Sequence, residues 1–134
     1  MKRAWILGIW VMLLACIGCT KNSTPRETAE YAVSCMQSDD LNGLLQIVGG
    51  DEDNREDALN AVRAYHNAFN AVLAANQGID RYEMLWQHVD NAHRTAVVRM
   101  QLIYGNQKSS ELNFCMNQGA DGKWYLKEDE LSMH

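Results

Sequence analysis

The sequence predicts an α+β domain in which helices come first and an antiparallel sheet follows. Apolar residues recur at helical spacing from residue 25 to residue 77, then switch to strict alternation. The alternating segments are separated by Asp90-Asn91, Gly105-Asn106 and Asp121-Gly122, pairs that suit tight hairpins. With 134 residues, 47% of them hydrophobic, the chain has room for one domain and enough apolar mass for its core.

Each element has its own signals. Thr24 is placed to cap the first helix, Pro25 fills its first position, and Glu27 completes a Thr-x-x-Glu capping box. Spacing predicts this helix over 25–37, with Ala29, Ala32, Val33 and Met36 on one face and Tyr31 and Cys35 beside it. Ser38-Asp39-Asp40 stops it and caps a second helix over 41–48, striped by Leu41, Leu44, Leu45 and Val48 and ended by Gly49-Gly50. Asn54 is the expected cap of a third helix over 55–77. Its stripe of Leu59, Val62, His66, Phe69 and Leu73 is widened by Ala58, Ala61, Tyr65, Ala68 and Val72, enough to touch more than one neighbour.

The first strand is expected to place Tyr82, Met84 and Trp86 on one side and Glu83, Leu85 and Gln87 on the other. In the second, Ala96, Val98, Met100, Leu102 and Tyr104 alternate with Thr95, Val97, Arg99, Gln101 and Ile103. The third sets Leu112, Phe114 and Met116 against Glu111, Asn113, Cys115 and Asn117, and the fourth spans 123–127. Four strands joined by short turns must be antiparallel neighbours, with the preceding helices on one face.

Residues 1–19 read as an address, not as part of the fold. Lys2 and Arg3 precede an uncharged apolar run, Ala4 through Leu14, too short for an ordinary transmembrane helix. Ala15-Cys16-Ile17-Gly18-Cys19 follows, a pattern that resembles the lipobox of bacterial lipoproteins, in which the signal is cut before a cysteine that is then acylated. Leu13-Leu14-Ala15-Cys16 fits that pattern through its Leu and Ala; Cys19 fits through Gly18 and leaves two cysteines, Cys35 and Cys115, in the mature chain. Residues 20–24 are short, polar and tether-like, leaving 25–134 for the domain. The formal charge is −5, and loss of Lys2 and Arg3 makes it two units more negative. Such a chain lacks the cationic surface that nucleic-acid binding requires, and lipid, not surface charge, is expected to hold it to a membrane. Neither cysteine is followed by Asp, which in the lipoprotein pattern marks inner-membrane retention, so the expected location is the bacterial envelope at the outer membrane, facing the periplasm or cell surface.

The layout of capped helix, short helix, long helix and strand meander resembles the nuclear transport factor 2-like (cystatin-like) cone fold. Within it the chain looks like small bacterial lipoproteins of a domain-of-unknown-function family with lumazine-binding-like relatives. The residues that carry the likeness are Thr24-Pro25-Arg26-Glu27-Thr28-Ala29, Cys35-Met36-Gln37-Ser38-Asp39-Asp40, Thr95-Ala96-Val97-Val98-Arg99-Met100 and Asp121-Gly122-Lys123-Trp124-Tyr125. The resemblance covers residues 24–128. It implies a curved four-stranded sheet crossed by the long helix, with a pocket at the open end. It carries over no functional residue, because the fold hosts isomerases, dehydratases, ligand binders and transport factors alike.

Candidate ligand-pocket residues are Tyr65, Phe69, Trp86, Met100 and Phe114; the plainer alternative is that they fill the core. His66, within the long helix's apolar stripe, is the candidate general base if a carboxylate lies across the cone; the alternative is a hydrogen-bonded core histidine. His88 and His93 with Asp90 read as exposed hairpin residues, and no metal-ligand spacing is present, so no metal or cofactor is expected. The acidic run Asp51-Glu52-Asp53 with Glu56 and Asp57 lacks the alternation of a calcium loop. Cys35 and Cys115 have two readings, an envelope disulfide or two thiols; Cys115 falls on the sheet face opposite Phe114 and Met116, against a bridge to a helix. The outer sheet face, with Leu85, Val97, Ile103, Cys115 and Tyr125 among polar residues, is a candidate homodimer surface. The expected role is that of a lipid-anchored, non-enzymatic domain that binds a small apolar ligand or an envelope protein. The alternative is an isomerase- or dehydratase-like enzyme using a pocket acid–base residue.

Overall fold

The structure, a computed structural model, describes residues 21–48 and 55–127, with the side chain of Arg55 excepted. The expected signal and lipobox (with Cys16 and Cys19), the Gly49-Gly50 stop and the Asn54 cap lie outside the described residues. Three helices, α1 (Pro25–Ser38), α2 (Leu41–Gln46) and α3 (Arg55–Ala75), precede four strands, β1 (Ile79–Asp90), β2 (Thr95–Tyr104), β3 (Ser109–Gln118) and β4 (Trp124–Leu126). The strands form one antiparallel meander in the order β1-β2-β3-β4.

Thr24 caps α1 as expected, its hydroxyl oxygen accepting from the Glu27 N–H at 3.1 Å, with Pro25 next to it. The capping box closes on that side alone: Glu27 Oε2 is buried and no described residue donates to it. Ala29, Ala32 and Val33 are fully buried, and their small side chains let α1 come close to β1, β2 and β4. At the other end Asp39 adopts the left-handed conformation (φ 60°, ψ 40°), tolerable for Asp, and the Asp40 N–H closes the helix on the Cys35 carbonyl at 2.8 Å. Asp40 then caps α2 through the Gly43 N–H at 2.9 Å. A Cβ at Gly43 would stand 2.5 Å from an Asp40 carboxylate oxygen and 2.8 Å from the Tyr31 hydroxyl, so the capping carboxylate and the phenol would have to shift to admit one. Helix α2 is shorter than its stripe suggests. The chain leaves it at Ile47, and Val48 forms a parallel bridge with Leu126.

The core lies between the helices and the inner sheet face. Val98, Met100, Leu102 and Met116 are fully buried there under Met36, Val62 and Phe69. The pairing of β1 shifts register twice, between Ile79 and Arg81 and again after Met84, and the second shift breaks the expected alternation of Tyr82, Met84 and Trp86. Met84 pairs with Met100 and Trp86 pairs with Arg99, so Leu85 is the extra residue of a β-bulge. A one-residue insertion exchanges the faces of everything after it. Tyr82 and Met84 face the core as expected, but beyond the bulge Val89 takes the inner side, opposite Ala96, and Trp86 turns outward.

Residues 21–24 do not behave as a loose tether. Asn22 is 4% exposed; its carbonyl accepts from the Trp124 N–H at 2.9 Å, and its side-chain amide donates to the Trp124 carbonyl at 3.2 Å. Two positions on, the Leu126 N–H donates to the Ile47 carbonyl at 2.7 Å. The outer edge of β4 is thereby covered, which leaves β1 as the exposed edge of the sheet among the described residues.

Candidate functional site

Two places gather side chains with chemical potential: the junction of α1 with α3, and the outer face of the sheet. At the first, the left-handed turn at Asp39 carries its carboxylate toward α3, where Oδ1 lies 2.6 Å from His66 Nε2. The imidazole is buried, at 8% exposure, whereas the Asp39 side chain is 74% exposed. A neutral His66 that donates Nε2–H to Asp39 keeps its lone pair on Nδ1, the tautomer a proton acceptor needs. The carboxylate that meets His66 comes from the stop signal at the end of α1, on the neighbouring helix. A second-position Asp in a Ser-Asp-Asp run signals a helix end; nothing in it points to a residue 27 positions downstream.

Beside this pair the apolar candidates close into the core. Tyr65 and Phe69 stack at 6.1 Å between ring centroids, with planes 11° apart. Met100 and Phe69 are fully buried, and Phe114 and Tyr65 nearly so, all within one cluster. Burial pushes the Tyr65 phenol up to about 12, helped by Tyr104 nearby. Tyr104 in turn bonds the Ser110 hydroxyl at 2.6 Å. Four of the five pocket candidates therefore come together as packed side chains.

The fifth, Trp86, does not join them. The bulge sets it on the outer face beside Leu85, each 41% exposed. The Arg99 guanidinium lies over the indole at 5.1 Å from its centroid, and the Arg99 Nε–H donates to Asn113 Oδ1 at 2.9 Å. Trp86, Arg99 and Asn113 are register partners, so they form a row across β1, β2 and β3. No helix among the described residues covers this row.

Cys35 and Cys115 are not bridged to one another. Cys35 is buried on α1, while Cys115 lies half-buried on the outer face opposite Val97. Burial pushes the Cys35 thiol up to about 11, against a lowering hydrogen bond from Tyr31. His93 and Asp90 pair in the β1–β2 turn, Nδ1 to Oδ2 at 2.7 Å, which holds the Asp90 carboxyl below the usual range; His88 stands on the outer face opposite Val97. No group of three metal-ligating residues occurs among the described residues, and no described helix is long and apolar enough to cross a membrane.

No family model matches the chain, and no curated protein matches it. A solved structure does. It comes from Campylobacter jejuni and is described, provisionally, as an NTF2-like (nuclear transport factor 2-like) transpeptidase. It superposes with a TM-score of 0.63 over 78% of this chain and 98% of that one, at 11% identity. The fold is NTF2-like. At that identity the likeness extends to architecture alone, which is compatible with ligand binding and with catalysis.

Proposed function

We propose that this chain is a small bacterial lipoprotein whose NTF2-like domain serves as a protein-interaction module at the outer membrane, acting through the outer face of its sheet. The basic n-region, the short apolar run and the cysteines at 16 and 19 support the anchor. One contrast supports the interaction role: Tyr65, Phe69, Met100 and Phe114 are packed into the core, while Leu85 and Trp86 stand exposed on a sheet face that no helix among the described residues covers. Trp and Arg are the residue types that concentrate binding energy at interfaces, and here they stack on one another, with Arg99 held by Asn113. A second copy of this chain is the first partner to test.

Sedimentation of the acylated protein in detergent should show association that falls several-fold in Trp86→Ala while thermal unfolding moves little. Association unchanged by Trp86→Ala and by Arg99→Ala would remove the outer face from the proposal. Incorporation of labelled fatty acid, lost on replacing Cys16 or Cys19 by Ser, tests the anchor separately.

The His66–Asp39 contact favours a second reading, an isomerase- or dehydratase-like enzyme. A carboxylate-held imidazole can relay a proton. The 8% exposure of His66 and the packing of Tyr65 and Phe69 beside it weigh toward a structural tie between α1 and α3. Turnover of any such substrate that is lost in His66→Gln, at unchanged stability, would reverse this ranking.

A further inference from the structure

The docked segment at residues 21–24 has a consequence for how an anchored domain sits on a bilayer. Asn22 is fixed to Trp124 through two hydrogen bonds, at one end of the sheet. The same end holds the β3–β4 turn at 119–123 and the β1–β2 turn at 91–94, joined by the Gln118 N–H to the Arg94 carbonyl at 2.9 Å. The opposite end holds the β2–β3 turn at 105–108, tied to the end of α3 by Asn106 and Asn76, and the Asp39–His66 pair at the end of α1. Gln37 confirms the direction of α1, its amide reaching the Ile79 carbonyl at 3.1 Å.

Chain length sets the leash. An acylated Cys19 lies three residues from Asn22 and can stand no more than about 11 Å away; an acylated Cys16 lies six residues away and is limited to about 22 Å. Both are shorter than β3, whose ten residues span roughly 33 Å. An acylated Cys19 therefore holds the Asn22 end of the sheet close to the headgroup layer, and with either anchor the domain cannot stand inverted on its other end. At the held end the turn carboxylates are already engaged, Asp90 by His93 and Asp121 by the Tyr125 hydroxyl at 2.6 Å and the Lys123 N–H at 3.0 Å. Arg94 and Lys123 stand exposed at the two turns.

We propose that the turns at 91–94 and 119–123 form the bilayer-facing surface of the anchored domain, meeting phospholipid headgroups through Arg94 and Lys123, so that the Asp39–His66 end points away from the membrane. This rests on the lipid-anchor reading and goes beyond it, since an anchor on a loose tether would leave the domain free to tumble.

The test uses the full acylated chain in phosphatidylethanolamine–phosphatidylglycerol vesicles that carry a spin-labelled headgroup lipid. A fluorophore is placed at Ala120→Cys or at Lys108→Cys, each in a Cys115→Ser background. Quenching at 120 should exceed quenching at 108 several-fold. A Gly/Ser linker of about twenty residues inserted between Thr20 and Lys21 should bring the two toward equality, because the leash then exceeds the domain. Arg94→Glu with Lys123→Glu should lower quenching at 120. Equal quenching at the two sites in acylated, vesicle-bound protein would overturn the orientation and leave the anchor standing. A chain that carries no acyl mass and does not bind vesicles would overturn the anchor and the orientation with it. A Glu double variant that quenches as before would overturn the headgroup contact through these cations.

Discussion

Along β2, Ala96, Val98, Met100, Leu102 and Tyr104 are buried beneath the helices, whereas Thr95, Val97, Arg99, Gln101 and Ile103 lie half-buried on the other side. The same ten residues thus build a packed surface and an open one. The inner side is close-packed and any loss of volume is felt there. On the outer side, no helix among the described residues lies over the strands. β1 shows how little separates the two conditions: one extra residue, Leu85, moves Trp86 from the expected core side to solvent.

The comparison can be broken first at its strongest point. Met100→Ala should cost about 2–5 kcal/mol in urea unfolding, since Met100 is fully buried. Gln101→Ala, one residue along and on the other face, should stay within about 0.5 kcal/mol. Equal losses at the two positions would mean that the outer face is also covered.

A smaller effect concerns alkaline pH. Tyr65 and Cys35 both ionise later in the folded chain than in the unfolded one, at about 12 and about 11, because burial opposes the charged form. The stability they hold is complete below their unfolded values and is lost as pH rises from about 9 through 12. For Tyr65 this amounts to about 2–3 kcal/mol, and Tyr65→Phe should flatten that part of the pH–stability curve. An unchanged alkaline limb in Tyr65→Phe would place the responsible group elsewhere.

The smallest perturbation is chemical. Alkylation at neutral pH should modify Cys115, half-buried on the outer face, well before Cys35, which is buried and has a raised pKa. Mass spectrometry of partially labelled protein gives the order; Cys35 reacting first would contradict the placement of α1 on the inner side.

Much of this was legible in the chain. Thr24-Pro25 marks the start of α1, Ser38-Asp39-Asp40 marks both a stop and a start, and the alternation of β2 and β3 assigns Met100, Phe114 and Cys115 to their faces. These are local properties, governed by capping and by a period of two. The misplacement of Trp86 has an equally local cause, but Met84-Leu85-Trp86 is a run of three apolar residues that suits either face, so residue type does not locate the bulge. Asp39 and Asn22 were illegible for another reason. Each is a polar residue whose role comes from a partner far along the chain, His66 at 27 positions and Trp124 at 102.

From residue order alone come the helices-then-strands layout, the antiparallel meander and the faces of β2 and β3, because spacing and turn chemistry act over a few neighbouring residues. Which carboxylate meets His66, on which side Trp86 emerges and how residues 21–24 are held depend on segments that meet only when the chain closes on itself. Contacts of that kind are set by geometry across the fold, and no short window of residues contains them.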